Sequence, residues 1–270
     1  MKKDYRPVTE AQSKIDESTF VEDFWSQIWS ERGLSDAARE QIEEHEEFKF
    51  MEPYIAKLPP DSRVLDGGCG LGEWTLYYAS KGFDVVGLDI SKATIDGLRQ
   101  KFPNHRFIAG DIRKTQFDDD YFDAYFSWGT FEHFESGLGD CFREARRILK
   151  QRGHLFISVP YHNDRHLWRD RRDLWHWDEN FDKDRGYTSN MRFYQWRLTI
   201  PELKREFEIS GFKVLEVKPI AKQFGLDRAI RHDLHLNPGS TLHRIVKTLL
   251  YPLVPQSWVA HMIIGVGQKR

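Results

Sequence analysis

The segment Arg63-Val64-Leu65-Asp66-Gly67-Gly68-Cys69-Gly70-Leu71-Gly72 constrains this chain more than any other. A short apolar run ends in an acid, and glycines follow at every second position: Gly68, Gly70 and Gly72. Lacking a Cβ, such a bend lets a ligand lie directly on the backbone. A nicotinamide-binding turn would read G-x-G-x-x-G. Here Glu73 and Thr75 stand where that pattern would need glycine, so neither frame completes it.

The same grammar repeats downstream. Asp84-Val85-Val86-Gly87-Leu88 closes on Asp89, and Arg106-Phe107-Ile108-Ala109 leads to Gly110-Asp111-Ile112. Phe122–Ser127 runs into Trp128-Gly129-Thr130-Phe131-Glu132-His133, and Gly153–Pro160 forms a fifth apolar run. Helices are expected between them at about Glu73–Lys81, Ser91–Lys101 and Leu138–Lys150. The last repeats Leu138, Phe142, Ala145 and Leu149, the stripe of a helix laid on a sheet. Such alternation specifies a parallel sheet covered on both faces. A single aspartate at a strand end is as readily a turn former or helix cap. Asp66, Asp89 and Asp111 at consecutive strand ends, behind a glycine bend, favour a ligand, because open parallel sheets bind ligands at the carboxyl ends of their strands.

Acid-x-Gly-x-Gly-x-Gly, with five strands in this order and spacing over about residues 45–160, resembles the class I S-adenosylmethionine-dependent methyltransferases, of the type 11/12-like kind. The resemblance implies an α/β fold: a Rossmann-like, doubly wound, seven-stranded sheet, mostly parallel. The last strand (Val259–Gly267) inserts antiparallel between the fifth and the sixth (Phe212–Val217). It implies S-adenosyl-L-methionine as cofactor. Gly67, Gly68, Gly70 and Gly72 would run along its methionine portion, with Asp66 near the amino end. Asp89 would meet the ribose, with Ile90 also binding the cofactor, Asp111 and Ile112 the adenine, and Ser127 or Trp128 the amino-acid tail. An N-terminal aromatic or Arg32 would close over the carboxylate. Trp74 and Trp128 stand either in the cofactor pocket or in the core.

Around this core, residues 1–57 read as a helical N-terminal segment. Phe20, Phe24, Trp25, Ile28 and Trp29 fall at helical spacing, and a charged helix is expected from about Ser35 to Lys57. Residues 58–270 form the cofactor-binding domain, with a cap insertion at about 161–200 and a second insertion at about 220–258. The cap carries Trp168, Arg169, Arg172 and Trp196, besides Arg165, Arg171, Trp175 and Trp177. Aromatic faces beside arginine forks suit a sugar or aromatic ring bearing an acidic group. The alternative is an insertion that packs on itself, and Arg192 and Arg197 read equally as structural. In the second insertion Leu242, Ile245, Val246, Leu249 and Leu250 share one helical face. That face is expected to pack on its own domain rather than on a membrane surface.

Across 270 residues the net charge is −2, so no global basic field favours nucleic acid. Two cysteines, Cys69 and Cys141, make neither a disulfide framework nor a zinc set. No cluster of acidic ligands suggests a metal. The first residues lack the apolar core of a signal peptide, and no run reaches the roughly 18 apolar residues that span a bilayer, so a cytoplasmic protein is expected.

His133 is the candidate base. It follows the fourth strand by a few residues, and an unperturbed pKa of about 6.5 suits proton abstraction near neutrality. A Glu-His pair here is equally compatible with simple packing. The loop Ser127-Trp128-Gly129-Thr130 lacks the Asn/Asp-Pro-Pro-aromatic turn of related amino-methyltransferases, and has no Pro-Cys to attack a pyrimidine ring. Three classes stay open: a small-molecule methyltransferase, preferably on oxygen; a protein or RNA methyltransferase; and a non-catalytic cofactor-binding protein.

Overall fold

A computed structural model describes residues 1–33, 41–172 and 190–270, together with two short strands between 172 and 190. The chain opens with a strand, β1 (Lys2–Pro7), followed by α1 (Glu10–Lys14) and α2 (Glu17–Arg32). Thr9 and Asp16 cap these helices by accepting the Gln12 and Thr19 N–H groups. The expected helix over residues 35–57 is shorter. Residues 34–40 lie outside the described residues, Ile42–Glu44 make a 3₁₀ turn, and extended His45 precedes α3 (Glu46–Ile55). Ile42 is buried at that turn.

Strand and helix then alternate: β2 (Arg63–Gly67), α4 (Glu73–Ser80), β3 (Asp84–Asp89), α5 (Lys92–Lys101), β4 (Arg106–Ala109), β5 (Phe122–Trp128), α6 (Gly139–Ile148) and β6 (Leu149–Pro160). The cap holds α7 (Asp164–Arg171), the short pair β7 (Phe181–Asp182) and β8 (Gly186–Tyr187), and β9 (Met191–Arg197). After it come α8 (Ile200–Ile209), β10 (Phe212–Ile220), α9 (Lys222–Leu234), α10 (Thr241–Leu250), α11 (Gln256–Val259) and β11 (Met262–Lys269).

Seven strands form one sheet in the order β10-β11-β6-β5-β2-β3-β4. β11 is antiparallel to both neighbours, and the other pairings are parallel, as the resemblance implies. Successive residues of each strand serve opposite faces. Val64, Val85, Ala124 and Phe156 pack beneath α3 and α4, while Leu65, Val86, Tyr125 and Ile157 pack beneath α6 and α8. Continuous apolar strands are what a sheet buried on both faces requires. The strand order runs outward in opposite directions from β2 and β5, so the crevice between their carboxyl ends is the topological switch point where such folds bind ligands.

The N-terminal segment and the cap form one structure. β1 pairs antiparallel with β9, from Lys2 opposite Arg197 to Pro7 opposite Met191. Arg192 donates to the carbonyls of Gln12 (2.6 Å) and Ile15 (2.8 Å). The polar run Lys2–Arg6 carries no strand pattern of its own; the pairing comes from β9, where Phe193 offers its ring to Tyr5. In the second insertion, Val246 and Leu250 pack on Leu226 and Ile230, while Leu242, Ile245 and Leu249 stay exposed. The apolar face of α10 is thus wider than the surface it covers. Among the described residues no helix is long and apolar enough to cross a membrane.

Candidate functional site

A cavity of about 560 Å³ lies at the switch point. Its floor is the carboxyl edge of the sheet: Gly68 after β2, Asp89 and Ile90 at the end of β3, Gly110–Ile112 after β4, and Trp128–Thr130 at the end of β5. His133 and Phe134 form one side, and Val21, Trp25 and Trp29 of α2 form the roof.

Glycine is required at the bend. Gly68 sits at φ +82°, and a Cβ there would fall inside the Thr130 side chain. At Gly70, φ +50°, a Cβ would strike the Trp29 ring, so the roof rests directly on the bend. Asp89 braces the same turn. One carboxylate oxygen accepts the Gly70 N–H (2.8 Å) and the other the Ser91 N–H (2.9 Å). Each oxygen keeps a lone pair free for a further donor.

Of the sequence candidates, Gly68, Asp89, Ile90, Asp111, Ile112, Trp128 and His133 line this cavity. Asp66 does not line it. It is buried beneath the bend and accepts the Thr75 hydroxyl at 2.7 Å, fastening α4 to β2. Burial, with Asp89 nearby, lifts its pKa to about 7, against the opposing Thr75 bond. Ser127 is likewise buried and donates to the Gly67 carbonyl at 2.6 Å, tying β5 to β2. Gly67 makes room for Tyr125, and Gly72 leads into α4 at φ +74°.

Asp111 reaches the cavity, yet its carboxylate is held by Arg113, with Nη2 at 2.7 Å and Nε at 3.0 Å. Arg113 in turn grips Glu17 of α2 at 2.7 Å. Glu17 also accepts the Glu135 N–H (2.7 Å), and Ser26 meets Ser91 at 2.7 Å. The roof is therefore latched to the strand ends by polar pairs. We expect Arg113→Ala to speed amide exchange across α2 several-fold, with protection in β2 and β5 unchanged, as hydrogen-exchange mass spectrometry would read. Equal protection of α2 in both proteins would show that its apolar contacts alone hold it.

His133 is buried between Trp25 and Tyr194, ring centroids at 5.0 and 5.2 Å. Its Nδ1 stands 2.8 Å from the Tyr194 carbonyl. A carbonyl only accepts, so Nδ1 carries the hydrogen and Nε2 keeps its lone pair. Burial lowers the imidazole to about 4, partly offset by the Tyr194 and Gly129 backbone. Burial raises the neighbouring Glu132 to about 8. Both are neutral near pH 7, because burial disfavours each charged form.

The candidate acceptor residues lie elsewhere. Trp168 is exposed, with Arg172 4.6 Å above its ring, and Arg169 pairs with Asp233 at 2.5 Å. Trp196 donates to the Phe134 carbonyl at 3.1 Å, behind the cavity wall. Trp175 and Trp177 lie outside the described residues. Trp74 packs in the core against Trp128 and Tyr78. Arg32 pairs with Glu73 at 3.3 Å. The expectation that an N-terminal aromatic closes over the site did not single out Trp25 and Trp29, whose helical spacing identifies a face but not what it covers. Among the described residues, no three His, Cys, Asp or Glu side chains gather as metal ligands.

Comparison with known proteins agrees with this geometry. The chain is 42% identical over 104 residues to the demethylmenaquinone methyltransferase of Renibacterium salmoninarum, covering 38% of this chain and 43% of that protein. It is 32% identical over 100 residues to the malonyl-[acyl-carrier protein] O-methyltransferase of Serratia marcescens, covering 37% and 39%. The chain thus spans less than half the length of these curated relatives. The fold superposes on the 1,6-didemethyltoxoflavin-N1-methyltransferase of Burkholderia thailandensis with a TM-score of 0.58 at 16% identity, over 99% of this chain and 95% of that one. The methyltransferase-domain family matches residues 65–157, the strands and loops that carry the cavity floor, and this part of the chain is a methyltransferase domain of the class I S-adenosylmethionine-dependent kind.

Proposed function

We propose that this protein transfers a methyl group from S-adenosylmethionine to a hydroxyl oxygen of a small molecule, with His133 as the base. The observation that carries the reading is the placement of a neutral imidazole in the wall of the cavity that also holds Asp89 and the glycine bend. The cavity suits the cofactor. The backbone at Gly68 is bare, Ile90 and Ile112 offer apolar faces to a flat ring, and the buried Nε1 atoms of Trp29 and Trp128 have no partner among the described residues. Asp89 would accept the ribose hydroxyls, and Gly68 would run beside the methionine portion. With the Asp111 carboxylate taken by Arg113, adenine would rest chiefly on Ile112.

When bound, the cofactor supplies an electrophilic methyl for in-line displacement. The chain's own part is orientation, worth about 7–11 kcal/mol in well-aligned systems, and removal of the hydroxyl proton. That proton goes to Nε2 of His133, whose tautomer the Tyr194 carbonyl holds. The roof that α2 lays over the cavity floor favours a small acceptor. Labelled cofactor, incubated with a metabolite extract and with RNA and protein fractions, tests the reading. Label confined to small molecules supports it, and label in RNA or protein, or none transferred, removes it.

The burial of His133 has a consequence that needs no acceptor. Its folded pKa of about 4 lies below the unfolded value of about 6.5, so the unfolded chain binds more protons between the two. This contribution to stability is complete above pH 6.5 and is lost as pH falls toward 4. A histidine NMR titration should show the His133 ring neutral at pH 5.5; a midpoint near 6.5 would place the ring in water.

A further inference from the structure

A second cavity, of about 510 Å³, lies farther along the carboxyl edge of the sheet. It is lined by Arg165, Arg197, Arg228, His166, His232 and His261. Four elements converge to build it. Gly225, Arg228, Ala229 and His232 fall on one face of α9, with spacings of three, four and seven residues. The start of α7 brings Arg165 and His166, the end of β9 brings Arg197, and the approach to β11 brings His261. α9 packs so closely on this approach that a Cβ on Gly225 would collide with the Val259 carbonyl.

The charges do not balance. Arg165 is held in a two-pronged pair by Asp233, at 2.6 and 2.5 Å, and Arg197 is held by Asp4 at 2.5 Å. Arg197 also donates to Nε2 of His166 at 3.3 Å. His166 Nδ1 stands 3.3 Å from the Tyr161 carbonyl, so this ring is neutral and already engaged. Arg228 has no hydrogen bond or ion pair among the described residues. Burial and the cations of Arg197, Arg165 and Arg231 hold its guanidinium below the ordinary arginine range, despite Asp4. The same burial, with Arg228 and Arg197, lowers His261 to about 3, which leaves it a neutral partner. A planar five-donor fork in a positive recess is matched to an oxyanion.

The recess adjoins the methyl-transfer site. Tyr194, whose ring stands 5.2 Å from that of His133, feels the charge of Arg228. Met262, next to His261, backs Gly129 in the first cavity's wall. We propose that this second cavity binds the acidic group of the methyl acceptor, a phosphate or carboxylate, with Arg228 as its open cationic arm. This deepens the small-molecule reading and rests on it: the acceptor is an anion, anchored here while its hydroxyl reaches His133.

The test is calorimetric titration with inorganic pyrophosphate, at fixed ionic strength and with saturating S-adenosylhomocysteine. Wild-type protein should bind pyrophosphate, and Arg228→Gln should weaken that binding roughly tenfold or more, the worth of a charged hydrogen bond. Homocysteine-cofactor affinity should not change. Because the substitution removes an unpaired cation among cations, Tm should stay level or rise. Undiminished pyrophosphate binding in the variant, or pyrophosphate displacing S-adenosylhomocysteine, overturns the proposal. Vesicles of phosphatidylcholine with and without phosphatidylglycerol separate the sources of the anion. Binding that needs both phosphatidylglycerol and Arg228 supports the site with a lipid headgroup as its ligand, whereas vesicle binding indifferent to Arg228, without pyrophosphate binding, overturns it. A chain that fails to bind S-adenosylhomocysteine refutes the methyltransferase reading instead, and the pyrophosphate result still reports on this pocket alone.

Discussion

His133→Ala should lower turnover about a hundredfold or more while S-adenosylhomocysteine affinity barely changes. The expectation follows from the hydrogen on Nδ1. With that nitrogen donating to Tyr194, the remaining lone pair is on Nε2, in the wall of the first cavity. Alanine would leave a space beside Trp25 and Tyr194, with the buried Glu132 carboxyl, 3.9 Å from Nε2 in the wild type, as the nearest remaining acceptor. Separation of the two readouts is what matters. A structural role would cost cofactor affinity and Tm together, whereas a base affects the transferring step. Near-normal turnover would assign proton removal to another group and leave His133 as packing.

Asp89→Ala should weaken cofactor binding by about 1–3 kcal/mol, roughly fivefold to 150-fold. Two losses combine. The ribose hydroxyls lose a charged acceptor, and the Gly70 N–H loses the oxygen that shapes the bend. Asp89→Asn keeps one acceptor oxygen and should fall between wild type and alanine. Calorimetry with S-adenosylhomocysteine decides, with Tm recorded to separate loss of affinity from loss of fold. Unaltered affinity in Asp89→Ala would show that ribose is held elsewhere.

The glycine bend and the acids closing β2, β3 and the run after β4 were legible because each is local. A strand's apolar run, its closing carboxylate and a bend without Cβ atoms lie within ten residues. The roles of those acids were not local. Asp66 and Asp89 look alike in the sequence, yet one faces inward to Thr75 and the other faces the cavity. Which side of a strand tip a carboxylate takes depends on the helix that follows and on the neighbouring strand. Asp111 shows the same limit, since Arg113 and Glu17 claim its oxygens only after α2 has docked.

The N-terminal segment was legible only in part. Aromatic spacing marked α2, but its position over the cavity comes from its latch to Arg113 and from the hold of β9 on β1. Trp168, Arg169, Arg172 and Trp196 were grouped by proximity in the chain; the structure keeps the first three together at α7, with Arg172 over the Trp168 ring, and none of the four lines the first cavity. Arg228 lies about 60 residues after Arg165 and at i+3 from a glycine, so nothing near it in the sequence signals a partner; α9 and α7 bring the two to one recess.

By itself the sequence determined the alternating sheet, the position of the crevice and the family, because apolar periodicity and glycine placement are short-range constraints that any fold of this chain must satisfy. Tertiary structure alone decided which carboxylates reach the crevice, that α2 covers it, and that three arginines from separate elements share one recess. Those outcomes depend on contacts between segments far apart in the chain, where burial and charge pairing, rather than local propensity, select the arrangement.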